Sequence, residues 1–216
     1  MSAKKTVEIT NMSYIDDRGG IGLAAVKMGD VYLRGITVRE RQSDGEILVS
    51  YPAKQGGDGE YYPVYTLSEK EGYGHDRRKI EDALAESYAR LKNGEIQSVK
   101  HAPIEGVSIP SNQSPRVLSS HSFENGNTGV NVAYKNLIIN NVVLKDGKHG
   151  EFASFPSFEK QNGERERHVT PAKDSGFSDA VVRAYHEHKA SFADPVQLQE
   201  VDDFDPFVAD MSPDIG

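Results

Sequence analysis

The chain opens on alternating apolar and polar positions over 6–13, with Val7 and Ile9 set against Glu8 and Thr10, the period of a strand that buries one face. Two further runs, 21–28 and 31–40, read as strands joined at Gly29-Asp30, a tight-turn dipeptide. Residues 46–51 read as a buried strand ended by Pro52. Gln55-Gly56-Gly57-Asp58-Gly59 is a hairpin loop, and 61–67 is predicted to pair back. The period then lengthens. Ile80, Ala83, Leu84, Tyr88 and Leu91 fall on one helical stripe, which predicts a helix from about Asp76 to Lys92. Asp76 is placed to cap it and Asn93-Gly94 to end it.

The same order then recurs. Tyr51-Pro52-Ala53, Asp58-Gly59-Glu60 and Thr66 find counterparts in Phe155-Pro156-Ser157, Asn162-Gly163-Glu164 and Thr170, each 104 residues on. Ile80, Asp82, Ala83, Leu84 and Tyr88 correspond to Phe177, Asp179, Ala180, Val181 and Tyr185, 97 residues on. The difference falls in one loop, where a deletion costs least. In the second copy 129–134 and 137–144 read as strands, with a turn at Asp146-Gly147. Residues 151–155 form the buried strand, 165–170 return, and a helix runs over about 175–189. Residues 101–128, rich in Pro, Ser, Asn and Gly, read as a linker that carries the first strand of copy 2 around 104–109. The expected class is α+β: two tandem modules, 1–95 and 96–190, each a mainly antiparallel sheet with one closing helix, followed by a tail over 191–216.

Composition narrows the chemistry. With 37% hydrophobic and 27% charged residues the chain is of ordinary globular make-up. No apolar run approaches the ~18 residues of a membrane span, and no apolar segment follows the lysines near the N-terminus, so a cytoplasmic protein is expected. The absence of cysteine excludes disulfides and thiolate zinc sites. His186 and His188, two apart on a helix, diverge and make a poor chelate; no metal and no cofactor are expected. Enzyme motifs are missing: there is no G-x-S-x-G, no H-E-x-x-H and no P-loop, and the glycine run at 56–59 precedes a strand, not a helix. The net charge of -8 argues against nucleic acid at first sight, yet 194–216 holds seven of the 33 acidic residues and no Lys or Arg. The rest of the chain is nearly neutral, with 26 acids against 25 bases.

Several motifs together carry a resemblance. These are Thr6-Val7-Glu8-Ile9-Thr10-Asn11, Gly35-Ile36-Thr37-Val38, Val49-Ser50-Tyr51-Pro52-Ala53-Lys54, Asp58-Gly59-Glu60 and Arg77-Arg78-Lys79-Ile80-Glu81-Asp82-Ala83. In order and spacing the set is similar to the stage V sporulation protein G (SpoVG) family. Copy 2 adds Ser154-Phe155-Pro156-Ser157 and Gly163-Glu164-Arg165. The resemblance implies a non-enzymatic, nucleic-acid-binding regulator of bacterial type, linked to septation and sporulation. Since a usual family member is a single module that dimerises, it also implies that this chain is an intramolecular pseudo-dimer, monomeric in solution. The chain departs from the family pattern at the helix start of copy 2, where Asp174-Ser175-Gly176 stands in place of Arg77-Arg78-Lys79.

The expected nucleic-acid-binding residues are Arg77, Arg78 and Lys79 at the helix start, where free N–H groups and cations would welcome phosphate, with Lys54 beside the hairpin loop and Arg90 and Lys92 at the helix end. A solvated charge run is the competing reading. Tyr61, Tyr62, Tyr65 and Tyr73 interleave with this region and offer rings for stacking on bases, although Tyr61 and Tyr62 point to opposite faces. Arg165, Arg167 and His168 alternate with acids and suggest a cross-strand ladder. The acidic tail, with Phe204 and Phe207 among aspartates, is similar to the tips of bacterial single-stranded DNA-binding proteins that recruit partner proteins. It is open to three readings: a solubilising tail, a partner-recruiting segment, or a cover for the basic patch. The alternative function is therefore a protein-interaction module that has lost nucleic-acid binding.

Overall fold

The computed structural model describes residues 4–16, 19–69, 74–159 and 163–193. The strands of the first half are β1 (Lys4–Ile15), β2 (Ile21–Met28), β3 (Val31–Glu40), β4 (Ile47–Ser50), β5 (Ala53–Gln55), β6 (Tyr61–Pro63) and β7 (Tyr65–Leu67), followed by α1 (Gly74–Lys92). Next come β8 (Val99–Pro110), β9 (Arg116–Ser122), β10 (Thr128–Tyr134), β11 (Leu137–Gly147), β12 (Gly150–Ser154), β13 (Ser157–Glu159), β14 (Arg165–Arg167), β15 (Val169–Pro171) and α2 (Phe177–Ala193). The class is α+β, mostly antiparallel sheet with two helices among the described residues.

β1, β2 and β3 form a meander, and alternation, reset by a bulge after Ile9 and another after Leu33, sets their inner faces: Val7, Ile9, Met12, Ala24, Val26, Leu33, Ile36 and Val38 are all buried. β9, β10 and β11 form a second meander, continued by β12. The two sheets exchange strands. β3 carries β4 along 37–40 and β15 along 31–33, so that Val31, Tyr32 and Leu33 face Pro171, Thr170 and Val169. β11 carries β12 along 143–147 and β7 along 137–139, so that Leu137, Ile138 and Ile139 face Leu67, Thr66 and Tyr65. Each half thus supplies the other's sheet with a three-residue strand at the equivalent position.

This corrects the expectation that 61–67 and 165–170 each form one strand pairing back within their own half. Each run is split by one residue whose backbone faces two ways. Val64 N–H donates to Pro52 O (2.8 Å) while its carbonyl accepts from Asn140 N (2.9 Å). His168 N–H donates to Pro156 O (2.9 Å) and its carbonyl accepts from Arg34 N (2.8 Å). Before that residue the chain belongs to its own ribbon, β5–β6 or β13–β14; after it, to the opposite sheet. Matching bonds lock the exchange beyond it: Ser68 N donates to Asn136 O and Ala172 N to Asp30 O, both at 2.6 Å.

A second correction concerns 104–109. These residues belong to β8, which lies along the outer edge of β1 in the first sheet; the first strand of the second sheet is β9. Of the predicted stripe, α1 buries Ile80, Leu84, Tyr88 and Leu91 and half-buries Ala83, and α2 buries Phe177, Val181 and Ala184. α1 begins two residues before Asp76, so that carboxylate sits inside the first turn, not at the cap, where it accepts from Lys135 Nζ at 2.6 Å.

Candidate nucleic-acid interface

α1 and the β5–β6 ribbon present the six cations singled out above, and the structure divides them. Arg77 is the fourth residue of α1. Its Nε reaches Glu81 Oε1 at 2.9 Å and its Nη1 reaches Glu69 at 2.6 Å. Burial disfavours its charge, but Glu81 and Glu69 outweigh this and raise its pKa. Tyr51 donates to the same Glu81 oxygen at 3.0 Å, and burial, then the Glu81 charge, push that hydroxyl far up, so it stays protonated. Lys92 is bonded to Glu40, which raises its pKa, and Arg90 Nε lies 3.6 Å from Glu95.

The other three are differently placed. Arg78 is exposed, Lys54 is exposed on β5, and neither has an ion pair among the described residues. Lys79, also without a carboxylate partner, lays its ammonium against Gly106 of β8. Gly106 holds φ +68 in an irregular stretch of β8, and a Cβ there would collide with Lys79. The expected convergence of all three helix-start cations on free N–H groups is not the arrangement found. Arg77 is fully engaged by carboxylates, and Lys79 is turned toward β8.

Of the aromatic candidates, Tyr61 and Tyr62 are 69% and 48% exposed on β6, with Tyr62 opposite Lys54 and Tyr61 opposite Gln55. A two-stranded ribbon that projects from the sheets leaves both faces open, which is why neighbouring rings are exposed together. Tyr62 OH donates to Asp58 Oδ2 at 2.5 Å, and that bond lowers the Asp58 pKa. Tyr65 is not available for stacking: it is fully buried and donates to Arg34 O at 2.9 Å, tying β7 of one sheet to β3 of the other. Tyr73 and the acidic tail lie outside the described residues.

In the second half Glu166 pairs with Arg34 at 2.9 Å, while Ser157 faces Arg167 and Glu159 faces Arg165 across the β13–β14 ribbon. His186 bonds Glu151 at 2.7 Å. At the start of α2, Ser175 Oγ accepts from Phe177 N (3.3 Å). Sequence reasoning missed two clusters, both at strand turns. The Asp30 carboxylate accepts from Lys5 and from Tyr134 OH (3.1 Å), and Lys135 Nζ bridges Asp76 and Ser108 O (2.5 Å). Gly29-Asp30 had been legible only as a turn; its partners lie in other strands.

The fold and these surfaces define an α+β protein of mostly antiparallel sheet, with two helices among the described residues. No helix among the described residues is long and apolar enough to cross a membrane. Compared with known protein families, curated proteins and solved structures, the chain matches none.

Proposed function

We propose that this chain is a non-enzymatic, nucleic-acid-binding regulator of the SpoVG type, built as a covalent pseudo-dimer, that grips phosphate through Lys54, Arg78 and Lys79. The observation that carries the reading is a set of three cations without carboxylate partners among the described residues, one of them facing an exposed tyrosine across the β5–β6 ribbon. Cations left unpaired are the ones that can release counterions on binding, and exposed rings stack on bases without sequence preference. The reciprocal placement of β7 and β15 supports the pseudo-dimer, since it is what two identical modules would do across a two-fold axis.

Binding of labelled single-stranded DNA, duplex DNA and RNA, followed by fluorescence anisotropy, tests the function. The expected result is binding that a Lys54→Ala, Arg78→Ala, Lys79→Ala variant loses. No binding at low salt overturns it. Light scattering tests the architecture, which requires a monomer. A second reading, a protein-interaction module, is favoured by the pairing of Arg77, Arg90 and Lys92 with carboxylates, which removes half of the expected patch.

A further inference from the structure

β1 and β9 hold the same place in their sheets, and the equivalence runs residue by residue. Ile9, Asn11 and Met12 lie opposite Val26, Ala25 and Ala24; Val117, Ser119 and Ser120 lie opposite Val132, Asn131 and Val130. Both ladders are interrupted by an extra residue at the same point, Thr10 in β1 and Leu118 in β9. The outer edges differ. β8 covers that of β1, with Met12 opposite Val99, Asn11 opposite Lys100, Ile9 opposite Ala102 and Glu8 opposite Pro103. Among the described residues β9 pairs with β10 alone, and Leu118 and Phe123 are 41% and 39% exposed there. An open strand edge presents a row of unpaired N–H and C=O groups and is a template for one more strand.

β8 is the segment that follows α1, and the chain continues past α2 with residues 194–216. The two helices correspond at an offset of 97 residues. Carried forward, that offset takes the four buried apolar residues of β8, Val99, Ile104, Val107 and Ile109, onto Val196, Val201, Phe204 and Pro206. An apolar residue stands at all four positions of an otherwise polar, acidic segment. The same transfer sets Ser120 against Val196, Ser119 against Gln197, Val117 against Gln199 and Arg116 against Glu200, the last an opposite-charge pair in register. On α2, Tyr185, the counterpart of the buried Tyr88, is only partly covered.

We propose that the outer edge of β9 is a strand-addition site, and that its occupant is this chain's own segment 196–207, set antiparallel on β9 as β8 is on β1. The outer edge of β9 is then covered as β8 covers that of β1. This goes beyond the nucleic-acid reading and stands or falls without it.

The chain contains no cysteine, so engineered pairs report without ambiguity. In the full chain, Ser119→Cys with Gln197→Cys is expected to form an intramolecular disulfide on mild oxidation, at a rate close to that of the control Asn11→Cys with Lys100→Cys. It should exceed Ser119→Cys with Asp210→Cys by roughly tenfold, because a docked strand fixes one register while a free tail samples both. Equal rates for the Gln197 and Asp210 pairs overturn the proposal, as does a disulfide formed mainly between chains, which would assign the edge to a second copy. Hydrogen exchange gives an independent readout. In the full chain carrying Val196→Asp, Val201→Asp and Phe204→Asp, the β9 amides should exchange at least about tenfold faster. Unchanged protection overturns the proposal.

Discussion

On the nucleic-acid reading, salt dependence separates the cations that are free to bind phosphate from those that are not. Each phosphate neutralised adds roughly 0.9 to the slope of log affinity against log salt for duplex DNA and roughly 0.7 for a single strand. Three cations, Lys54, Arg78 and Lys79, therefore predict a slope of roughly −2 to −3, a loss of roughly 20- to 40-fold between about 50 and 200 mM salt. All six would give roughly −4 to −5 and a loss of several hundred-fold or more. The ion pairs decide between these values. An exposed pair is worth only about 0–1 kcal/mol, so phosphate can compete for its cation. Arg90, half exposed and 3.6 Å from Glu95, is the easiest to release. Arg77 is the hardest: its side chain is 30% exposed and held by both Glu69 and Glu81, with Tyr51 on the same carboxylate. Anisotropy titrations over a salt series should show the shallow slope, reduced by roughly 0.7–0.9 in Arg78→Ala and unchanged in Arg77→Ala. A slope steeper than about −4, or one that falls in Arg77→Ala, would refute the division of the patch.

Three further outcomes follow from the contacts between the halves. Tyr65→Phe removes the hydroxyl that bonds Arg34 O and should cost about 1–2 kcal/mol in urea unfolding; a neutral result would show that this bond does not tie the two sheets. Gly35→Ala should cost about 1–3 kcal/mol, because Gly35 holds φ +81 and a Cβ would meet His168 Nδ1 at 2.9 Å, whereas Gly57→Ala, with open space around it, should be nearly neutral; equal effects would contradict the reasoning. Burial lowers the His168 pKa below its ordinary 6.5, so between the folded and unfolded values the unfolded chain binds more protons. Its contribution to stability is complete above pH 6.5 and is lost as pH falls through the lowered value. His168→Val, the residue type of Val64 in the other half, should flatten that acid-side loss in urea midpoints measured below pH 6.5; an unchanged profile would assign the loss to other groups.

What the sequence made legible were the features that depend on local order. The alternation of Val7 and Ile9, the turn at Gly29-Asp30, the loop at 56–59 and the stripe Ile80, Leu84, Tyr88, Leu91 are all found. The identity of a strand's neighbour is not local. Tyr65 and Leu67 are both buried, as a period of two requires, but that period fixes which residues face inward and not which strand lies beside them. The pairing of β7 with β11 was therefore missed, and β8 was assigned to the wrong sheet for the same reason. The site was partly readable. Arg77 and Glu81 stand at the i, i+4 spacing of a helical ion pair, a signal present in the sequence, whereas Glu40 lies 52 residues from Lys92 and gave none.

On the pseudo-dimer reading, equivalent positions of the two halves carry different residues, and a single chain is what permits it. Asp30 is held by Lys5 and Tyr134; its counterpart Asn136 is fully buried with neither side-chain polar atom paired among the described residues. A buried group in that state costs about 1–3 kcal/mol. In an assembly of identical subunits every substitution appears in each copy, so the cost would be incurred twice and any gain would be symmetric. Joined in one chain, one half can keep Arg77-Arg78-Lys79 while the other carries Asp174-Ser175-Gly176. On the proposed reading this has a consequence for the target. A two-fold dimer with a basic helix start on each subunit presents two equivalent phosphate-binding faces and favours a two-fold target. On that reading the chain carries one basic helix start, so a target need have no internal symmetry, and a single-stranded segment satisfies it.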